Sequence, residues 1–424
     1  MFKLDYLPKE VRIILVQTRE LGNLMNRPVY IVGGFVRDYM LGHISHDIDL
    51  LVEEDKIHFA IQLNNILNGK LVTYPKFRAA TINLSNGYNL DIISARREYY
   101  ERPGAMPITS KGSIYDDLYR RDFTINCLAV SINSDSFGDL LDYFGGLYDL
   151  KNKKIKILHD SSFYDDPSRI FRAIRFASKF NFNIDNHTAL LLEEAIAKKV
   201  LLQISRDRIY NEISLILKDS NYIESLILME AYGILANLNI NFSLDKKTVK
   251  KLRQLNKTMN YFKGHKFNSN NIIILQLLDN TLPDQWKPIL NYFSFNDKNS
   301  DKILYILKNK EYTYKILKQD KVDRLALYSC LNDFDLDALI FYYNECSNIN
   351  IKKHIWDYIS NLKDIAINMT GEDLLELGLI PGPIYSKMFV EILRAKIMGE
   401  IYSYEDEIKY AKKMIEDQKG GIQS

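Results

Sequence analysis

The chain has 424 residues, 56 Lys+Arg against 54 Asp+Glu, seven His and three Cys, and 46% of it is hydrophobic; that length and composition predict two to four packed units with ordinary apolar cores. A net charge of +2 excludes both a polybasic, histone-like nucleic-acid binder and an acidic solvating tail. The longest apolar run, Ile272–Leu278, falls far short of the roughly 20 residues of a membrane span, the opening residues carry no signal-peptide pattern, and three widely spaced cysteines give neither a disulfide framework nor a CxxC zinc site. The expectation is a reduced, cytoplasmic protein with no membrane partner; no oligomeric state is legible.

Along the chain, Lys9–Met25 places Val11, Ile14, Leu15, Leu21 and Leu24 near a 3.6-residue period, which predicts an amphipathic helix. Pro28–Val32 is a β-branched and aromatic run ended by Gly33-Gly34, hence a strand entering a tight turn; Phe35–Leu41 reads as a short helix leaving it. Ile48–Val52 is a second strand, and Ala80–Leu84 with Tyr88–Ser94 predicts a hairpin about Ser85-Asn86-Gly87. Phe123–Ile132 mixes helical and strand signals and stays open. From Asp166 onward helical periodicity dominates. Near the C-terminal end, Thr370 followed by Asp373 resembles a capping box with Asp in place of Glu or Gln.

Charge divides unevenly. Residues 1–150 carry 16 Lys+Arg and 19 Asp+Glu, a balance of −3, and the remainder carries 40 and 35, a balance of +5. For a polyanionic partner this makes the first part the workplace and the second part the holder; ordinary variation in composition is the alternative.

The strongest local constellation is Val32-Gly33-Gly34-Phe35-Val36-Arg37-Asp38, followed by His46-Asp47-Ile48-Asp49-Leu50. A strand ending in two glycines lets backbone N–H groups approach an anion at the start of a helix. Arg37, one turn on, suits bidentate pairing with a phosphate. Asp47 and Asp49 are two apart, so on a strand both carboxylates project from one face, and two such hard oxygen ligands suit Mg²⁺ beside substrate phosphates. Alone, a GG is a turn and a DxD is solvated strand-end charge. Their order, strand–GG–helix–DxD, favours one shared site for nucleotidyl transfer by a two-metal mechanism.

Asp91, on a probable strand, reads equally as a hairpin-edge charge or as a third carboxylate. Asp166-Pro167 is a helix-starting pair. Beyond it, Arg169, Arg172 and Arg175 step by three along one side while Ile170, Phe171 and Ile174 cover another. That basic side is either solvated or turned to a polyanion, and three arginines favour the polyanion. His46-Asp47 and His159-Asp160 spell HD, but past residue 220 only His265 and His354 remain, too few for an HD phosphohydrolase.

GGFVRD followed by HDIDL resembles the signature of the class II tRNA nucleotidyltransferases and bacterial poly(A) polymerases. Further resemblances follow in the family's order: Asp117–Asn126 (DLYRRDFTIN), Asp142–Leu147 with Asp149, Asp165–Phe176 (DDPSRIFRAIRF), and Ser205–Ile209 with Glu212. They cover residues 28–217, and the GEDLLELGLIPGP stretch is a looser match. The resemblance implies an α+β chain. A polymerase-β-like nucleotidyltransferase head would occupy residues 1–150, followed by an all-helical neck (151–218), body (219–345) and tRNA-binding tail (346–424).

The same resemblance implies template-independent addition of C and/or A, from CTP and ATP, to the 3′ end of tRNA with Mg²⁺. Asp47 and Asp49 would be the catalytic metal ligands. Gly34, Arg37, Arg121, Arg172 and Arg175 would bind the nucleotide, and Asp166 with Arg169 would read the base. Asp122 and Asn126 would support the ribose side. Asp165 stands where the family usually has Glu, and it could still pair with Arg169 one turn on. A poly(A) polymerase on the same scaffold is the rival reading, and a non-catalytic RNA-binding relative is a more distant one.

Overall fold

The structure is a computed structural model that describes residues 6–53, 56–74, 79–294 and 296–420. The first five residues, read above for a leader, lie outside that set. The chain divides into two compact units, Met1–Asn241 and Phe242–Ser424.

The first unit is built on a mixed sheet. Strand β1 (Val29–Val32) lies antiparallel to β2 (Asp47–Val52), and the short helices α1 (Lys9–Leu24) and α2 (Gly34–Met40) flank it in the chain. Helix α3 (Lys56–Leu67) leads to β3 (Lys70–Tyr74), β4 (Ala79–Asn83) and β5 (Asn89–Ser94). β5 pairs parallel with β2, so Asp47 sits opposite Asn89 and Asp49 opposite Asp91. A separate ribbon, β6 (Arg96–Tyr99) with β7 (Ile108–Lys111), precedes α4 (Ile114–Tyr119). β8 (Ala129–Ser131) and β9 (Leu140–Leu141) complete the sheet, in the order β3-β4-β5-β2-β1-β8-β9.

The predicted strands, the short helix and the hairpin are present. Helix α1 buries Val11, Ile14, Leu15 and Leu21, but Leu24 is 85% exposed. The helix ends there, and the Arg27 N–H turns back to the Gly22 carbonyl, so nothing covers that last position. The mixed signal at Phe123–Ile132 resolves into both of its components, a 3₁₀ turn at Thr124–Asn126 and strand β8.

That 3₁₀ turn is clamped from behind. The Asp142 carboxylate accepts from the N–H groups of Gly146 and Leu147 at the start of α5 (Gly146–Lys151). Buried Asp149 accepts from the Thr124 hydroxyl at 2.7 Å. Helices α6 (Ser162–Asp165), α7 (Ser168–Phe180), α8 (Asn186–Ala197), α9 (Arg206–Lys218), α10 (Tyr222–Ala231) and α11 (Ile234–Asn237) complete the unit. α7 is strongly two-sided: Ile170, Phe171, Ala173, Ile174 and Ala177 are buried, and its arginines occupy the other side.

The second unit is helical throughout its described elements. It begins with α12 (Lys246–Tyr261), α13 (Ser269–Leu278), α14 (Pro283–Phe293) and α15 (Asp297–Leu317). It continues through α16 (Arg324–Leu331), α17 (Leu336–Glu345), α18 (Ile349–Asp357), α19 (Gly371–Glu376), α20 (Pro383–Met398) and α21 (Tyr404–Gly420). The apolar run Ile272–Leu278 forms the C-terminal part of α13 and is buried on every side, as an all-round apolar helix must be. The capping box at Thr370 and Asp373 forms with both of its reciprocal hydrogen bonds. Fully buried Glu407 accepts from the backbone N–H groups of Asn368 and Met369 and pairs with Lys396.

A Cβ on Gly146 would run into the Thr124 carbonyl oxygen, which is backbone and cannot swing aside. Gly146→Ala is therefore expected to cost about 1–3 kcal/mol through overpacking, and to displace the turn that carries Asn126. Chemical denaturation of the variant against the native chain measures the first effect. Nucleotide affinity measures the second.

Candidate active site

The site begins with crowded carboxylates. On β2 alternate residues share a face, so Asp47 and Asp49 project together, and the parallel register adds Asp91 beside Asp49. Burial, opposed by Arg121 and reinforced by Asp91, Asp47 and Asp117, pushes the Asp49 carboxyl up to about 6. Asp47 is exposed and accepts from Asn89 Nδ2 at 2.9 Å. Asp91 accepts from Thr81 Oγ1 at 2.5 Å. Such crowding leaves negative charge that one guanidinium does not offset. The hard oxygen donors of Asp47 and Asp49 therefore fit a divalent cation. Among the described residues no group of three or more His, Cys, Asp or Glu side chains is placed to hold a metal ion.

The glycine turn is required sterically. Gly33 adopts φ +70°, and a Cβ there would collide with Arg121 Nη1; only glycine meets both conditions. Arg121 Nη2 donates to Asp117 Oδ2 at 3.1 Å, while its Nε is buried without a hydrogen-bond partner. Arg37, on α2, donates through Nη1 to Asn126 Oδ1 (2.5 Å) and through Nε to Asp38 Oδ1 (2.8 Å). Its guanidinium carbon lies 4.7 Å from the Phe180 ring centroid.

Helix α7 supplies the opposite wall. The Asp166 carboxylate accepts from the Ser168 N–H (3.0 Å) and hydroxyl (2.6 Å), a cap in function, while Pro167 already has φ −60°. The same oxygen accepts from Arg208 Nη2 at 2.5 Å. Arg169 is buried and donates to Ser162 Oγ and the Arg120 carbonyl, both at 2.6 Å. Arg172 donates to Asp122 Oδ2, and both Arg172 and Arg175 lie 4.0 Å from the Glu212 carboxylate. The Phe176 ring is an apolar pillar between Arg37, Arg172 and Arg175, whose guanidinium carbons lie 5.3, 5.4 and 4.7 Å from its centroid.

These elements enclose a cleft of about 670 Å³. Nine cationic and four carboxylate side chains line it, with Gly34 and Asp49 among the lining residues. Low dielectric at its walls focuses that positive excess, and a polyphosphate is the ligand class it suits.

Comparison with known proteins bears on the same residues. The Poly A polymerase head domain family matches residues 29–156. The chain is 30% identical to the A-adding tRNA nucleotidyltransferase of Halalkalibacterium halodurans over 402 residues, 94% of this chain and 91% of that protein. The chain belongs to the tRNA nucleotidyltransferase family. It is also 33% identical over 420 residues to the A-adding tRNA nucleotidyltransferase of Geobacter sulfurreducens, covering 96% of this chain and 48% of that protein. The chain thus spans about half the length of the first curated relatives it matches. Among solved structures, apo form II of a CCA-adding enzyme aligns with a TM-score of 0.75 at 29% identity, over 96% of each chain. Membership of this tRNA nucleotidyltransferase family implies dependence on a divalent metal.

Of the residues singled out in the sequence, Gly34, Arg37, Asp49, Arg121, Asp166, Arg169, Arg172 and Arg175 line one cleft. Asp47 stands beside it on β2 and is not among the lining residues. The Asp165–Arg169 pairing expected one turn apart does not form. Asp165 ends α6, before the bend at Asp166, and accepts from Ser161 Oγ at 3.0 Å. The two residues never share a helix.

Two lining residues carry structure that the motifs did not assign. Arg208 bridges the Asp166 carboxylate and the Gly104 carbonyl (2.9 Å). Arg120 joins Glu98 (3.1 Å) to Asp117 (2.7 Å), while its own carbonyl receives Arg169. The β6–β7 ribbon is thereby tied to Asp166 and Arg169 by two arginines. Arg208 and Arg120 lie within motif-like stretches of the sequence, but their partners Gly104 and Glu98 are 104 and 22 residues away, beyond any local pattern.

Burial acts to raise the Asp122 carboxyl, but Arg172 and the Asn126 amide outweigh it and hold the group at about 2. A depressed carboxylate contributes stability above its unfolded value that is lost as pH falls through its folded one. The stability difference between the native chain and Asp122→Asn is expected to be full above about pH 5 and to shrink between about pH 4 and pH 2. Denaturant titrations of both proteins across that range check it.

Proposed function

We propose that this chain adds nucleotides to the 3′ end of tRNA without a nucleic-acid template, taking A from ATP and/or C from CTP. The single observation that supports this reading best is the cleft, in which Asp49 and the glycine turn face the arginine side of α7 across an excess of positive charge. Addition of A is the arm supported by the names of the relatives from Halalkalibacterium halodurans and Geobacter sulfurreducens. A reducing, cytoplasmic setting is supported by three unpaired cysteines, two of them buried.

The primer 3′ oxygen attacks the α-phosphorus, the bond to the bridging oxygen of the β-phosphate breaks, and pyrophosphate leaves. Asp47 and Asp49 hold Mg²⁺ in this reading. Held there, the cation would lower the pKa of the hydroxyl and offset the charge of the departing pyrophosphate. Backbone N–H groups at Gly34 and the guanidinium groups of Arg37 and Arg121 hold the phosphates. Arg172 and Arg175 complete the nucleotide contacts. Asp166 offers an acceptor and Arg169 a donor to the hydrogen-bonding edge of the base. Asp122 and Asn126 keep Arg172 and Arg37 in place from behind.

The test offers tRNA ending in CC, and tRNA lacking the whole CCA end, with ATP and CTP separately. AMP joined to the CC-ending tRNA is expected. Tailing of unstructured RNA by ATP alone, with no preference for tRNA, would replace this reading with that of a poly(A) polymerase. In the same assay Asp47→Ala is expected to abolish transfer, because the metal that activates the hydroxyl would lose a ligand, while tRNA binding persists in a gel-shift measurement. Preserved turnover would remove the metal-ligand assignment.

A further inference from the structure

The Phe180 ring, at the end of α7, stands outside the cleft and yet touches one of its cations. Phe176 and Phe180 are four residues apart, so they share a face of the helix, and their rings stack 5.8 Å apart with planes 12° from parallel. Phe176 lines the cleft, whereas Phe180 is not among the lining residues. The chain turns sharply after it. Asn181 takes φ +53°, its N–H returns to the Ser178 carbonyl (3.3 Å), and the Phe182 N–H returns to that of Ala177 (2.9 Å), the pair of bonds of a Schellman turn. That turn brings buried Phe182 back against Phe180, with ring centroids 5.7 Å apart. The Phe180 ring is therefore held by an aromatic neighbour one turn before it and another two residues after.

Arg37 reaches this ring from α2. It is buried, and polar partners grip its guanidinium by the edge: Nη1 donates to Asn126 Oδ1, while Nε and Nη2 both meet Asp38 Oδ1 (2.8 and 2.7 Å). Hydrogen bonds to a guanidinium lie in its plane, so they fix where its edge sits and leave its face to other contacts. That face rests on Phe180, with 4.7 Å from guanidinium carbon to ring centroid, and on Phe176 at 5.3 Å. Lys179 Nζ lies 5.6 Å from the Phe180 centroid but is exposed, where such a contact contributes least. A Cβ on Gly34 would lie 3.6 Å from Arg37 Nη2. The guanidinium that this ring supports thus stands at the glycine turn.

We propose that Phe180 is a positioning residue for triphosphate binding: its ring face sets the tilt of the Arg37 guanidinium, so that the cation meets the phosphates in a fixed orientation. Bidentate pairing depends on the guanidinium plane, and ordering that plane before the ligand arrives spares the ligand the cost of doing so. Filling of space alone is the competing account. A leucine would fill the space, but it has no π face to attract a cation. Phe180 acts only through Arg37, so this inference rests on the assignment of Arg37 to the phosphates given under Proposed function.

The test measures the affinity of the full chain for inorganic tripolyphosphate in metal-free buffer, by calorimetry, beside the kinetics of AMP transfer. Phe180→Leu is expected to weaken tripolyphosphate binding roughly 2- to 30-fold, the span of cation–π contacts from exposed to desolvated. The KM for ATP is expected to rise by a similar factor, with little change in kcat or in the KM for tRNA. Phe180→Tyr, which keeps the ring, is expected to behave as the native chain. In an Arg37→Gln background, Phe180→Leu is expected to add nothing further. Should Phe180→Leu fail to fold by circular dichroism, Phe180→Met carries the same comparison. Native affinity in the leucine variant overturns the proposal. So does a tyrosine variant as weak as the leucine one, or an undiminished effect of leucine in the Arg37→Gln background. If Arg37→Gln weakens binding and Phe180→Leu does not, this inference alone fails. If Arg37→Gln leaves tripolyphosphate affinity unchanged, the phosphate assignment of Arg37 fails and this inference with it.

Discussion

The parallel pairing of β2 with β5 is the constraint on which the first unit turns. It sets Asp49 directly beside Asp91, two residues from Asp47, in a partly buried position where like charges repel strongly. Arg121 is the cation nearest to hand, and it is held by Asp117 and seated against Gly33. The glycine turn, the arginine and the carboxylate pair are therefore one arrangement. Positive φ at Gly33 admits the guanidinium, and the guanidinium partly offsets charge that a bound cation would offset further.

The opposite wall follows the same electrostatic logic with the signs reversed. Arginines crowd around Phe176, and Asp122 and Glu212 hold them apart from behind. Burial raises the Glu212 carboxyl and lowers the Arg175 guanidinium, so neither charge is fully supported in its present surroundings. A polyanion entering the cleft would meet cations that already lie where it needs them, with little reorganisation left to make. In the second unit the charge is arranged differently. On α12 Lys246, Lys250, Arg253 and Lys257 lie exposed along one helix rather than in a cleft.

Much of the first unit could be read from local pattern. A β-branched and aromatic run marked β1, and the Ser85-Asn86-Gly87 turn marked the hairpin of β4 and β5; the paired glycines marked the turn after β1; and the two-sided composition of α7 separated its arginines from its core residues. Leu24 shows a limit of periodicity: the residue falls in step with its helix, yet no element arrives to cover it. Asp165 shows another. A bend at Asp166-Pro167 divides what spacing alone treats as one helix, so a pair four residues apart never meets.

By itself the sequence determined which residue types are available and on which side of each strand or helix they project, because side-chain direction is dictated by periods of 2 and 3.6 residues. That was enough to align Asp47 with Asp49 and to spread Arg169, Arg172 and Arg175 along one side of α7. Only the tertiary structure decided which partners those side chains meet. Arg208 reaches Asp166 and Gly104, Arg120 joins Glu98 to the carbonyl that receives Arg169, and Asp122 holds Arg172 across 50 residues. Such contacts depend on how separate elements pack, and packing is set by shape and burial summed over the whole core rather than by any local spacing.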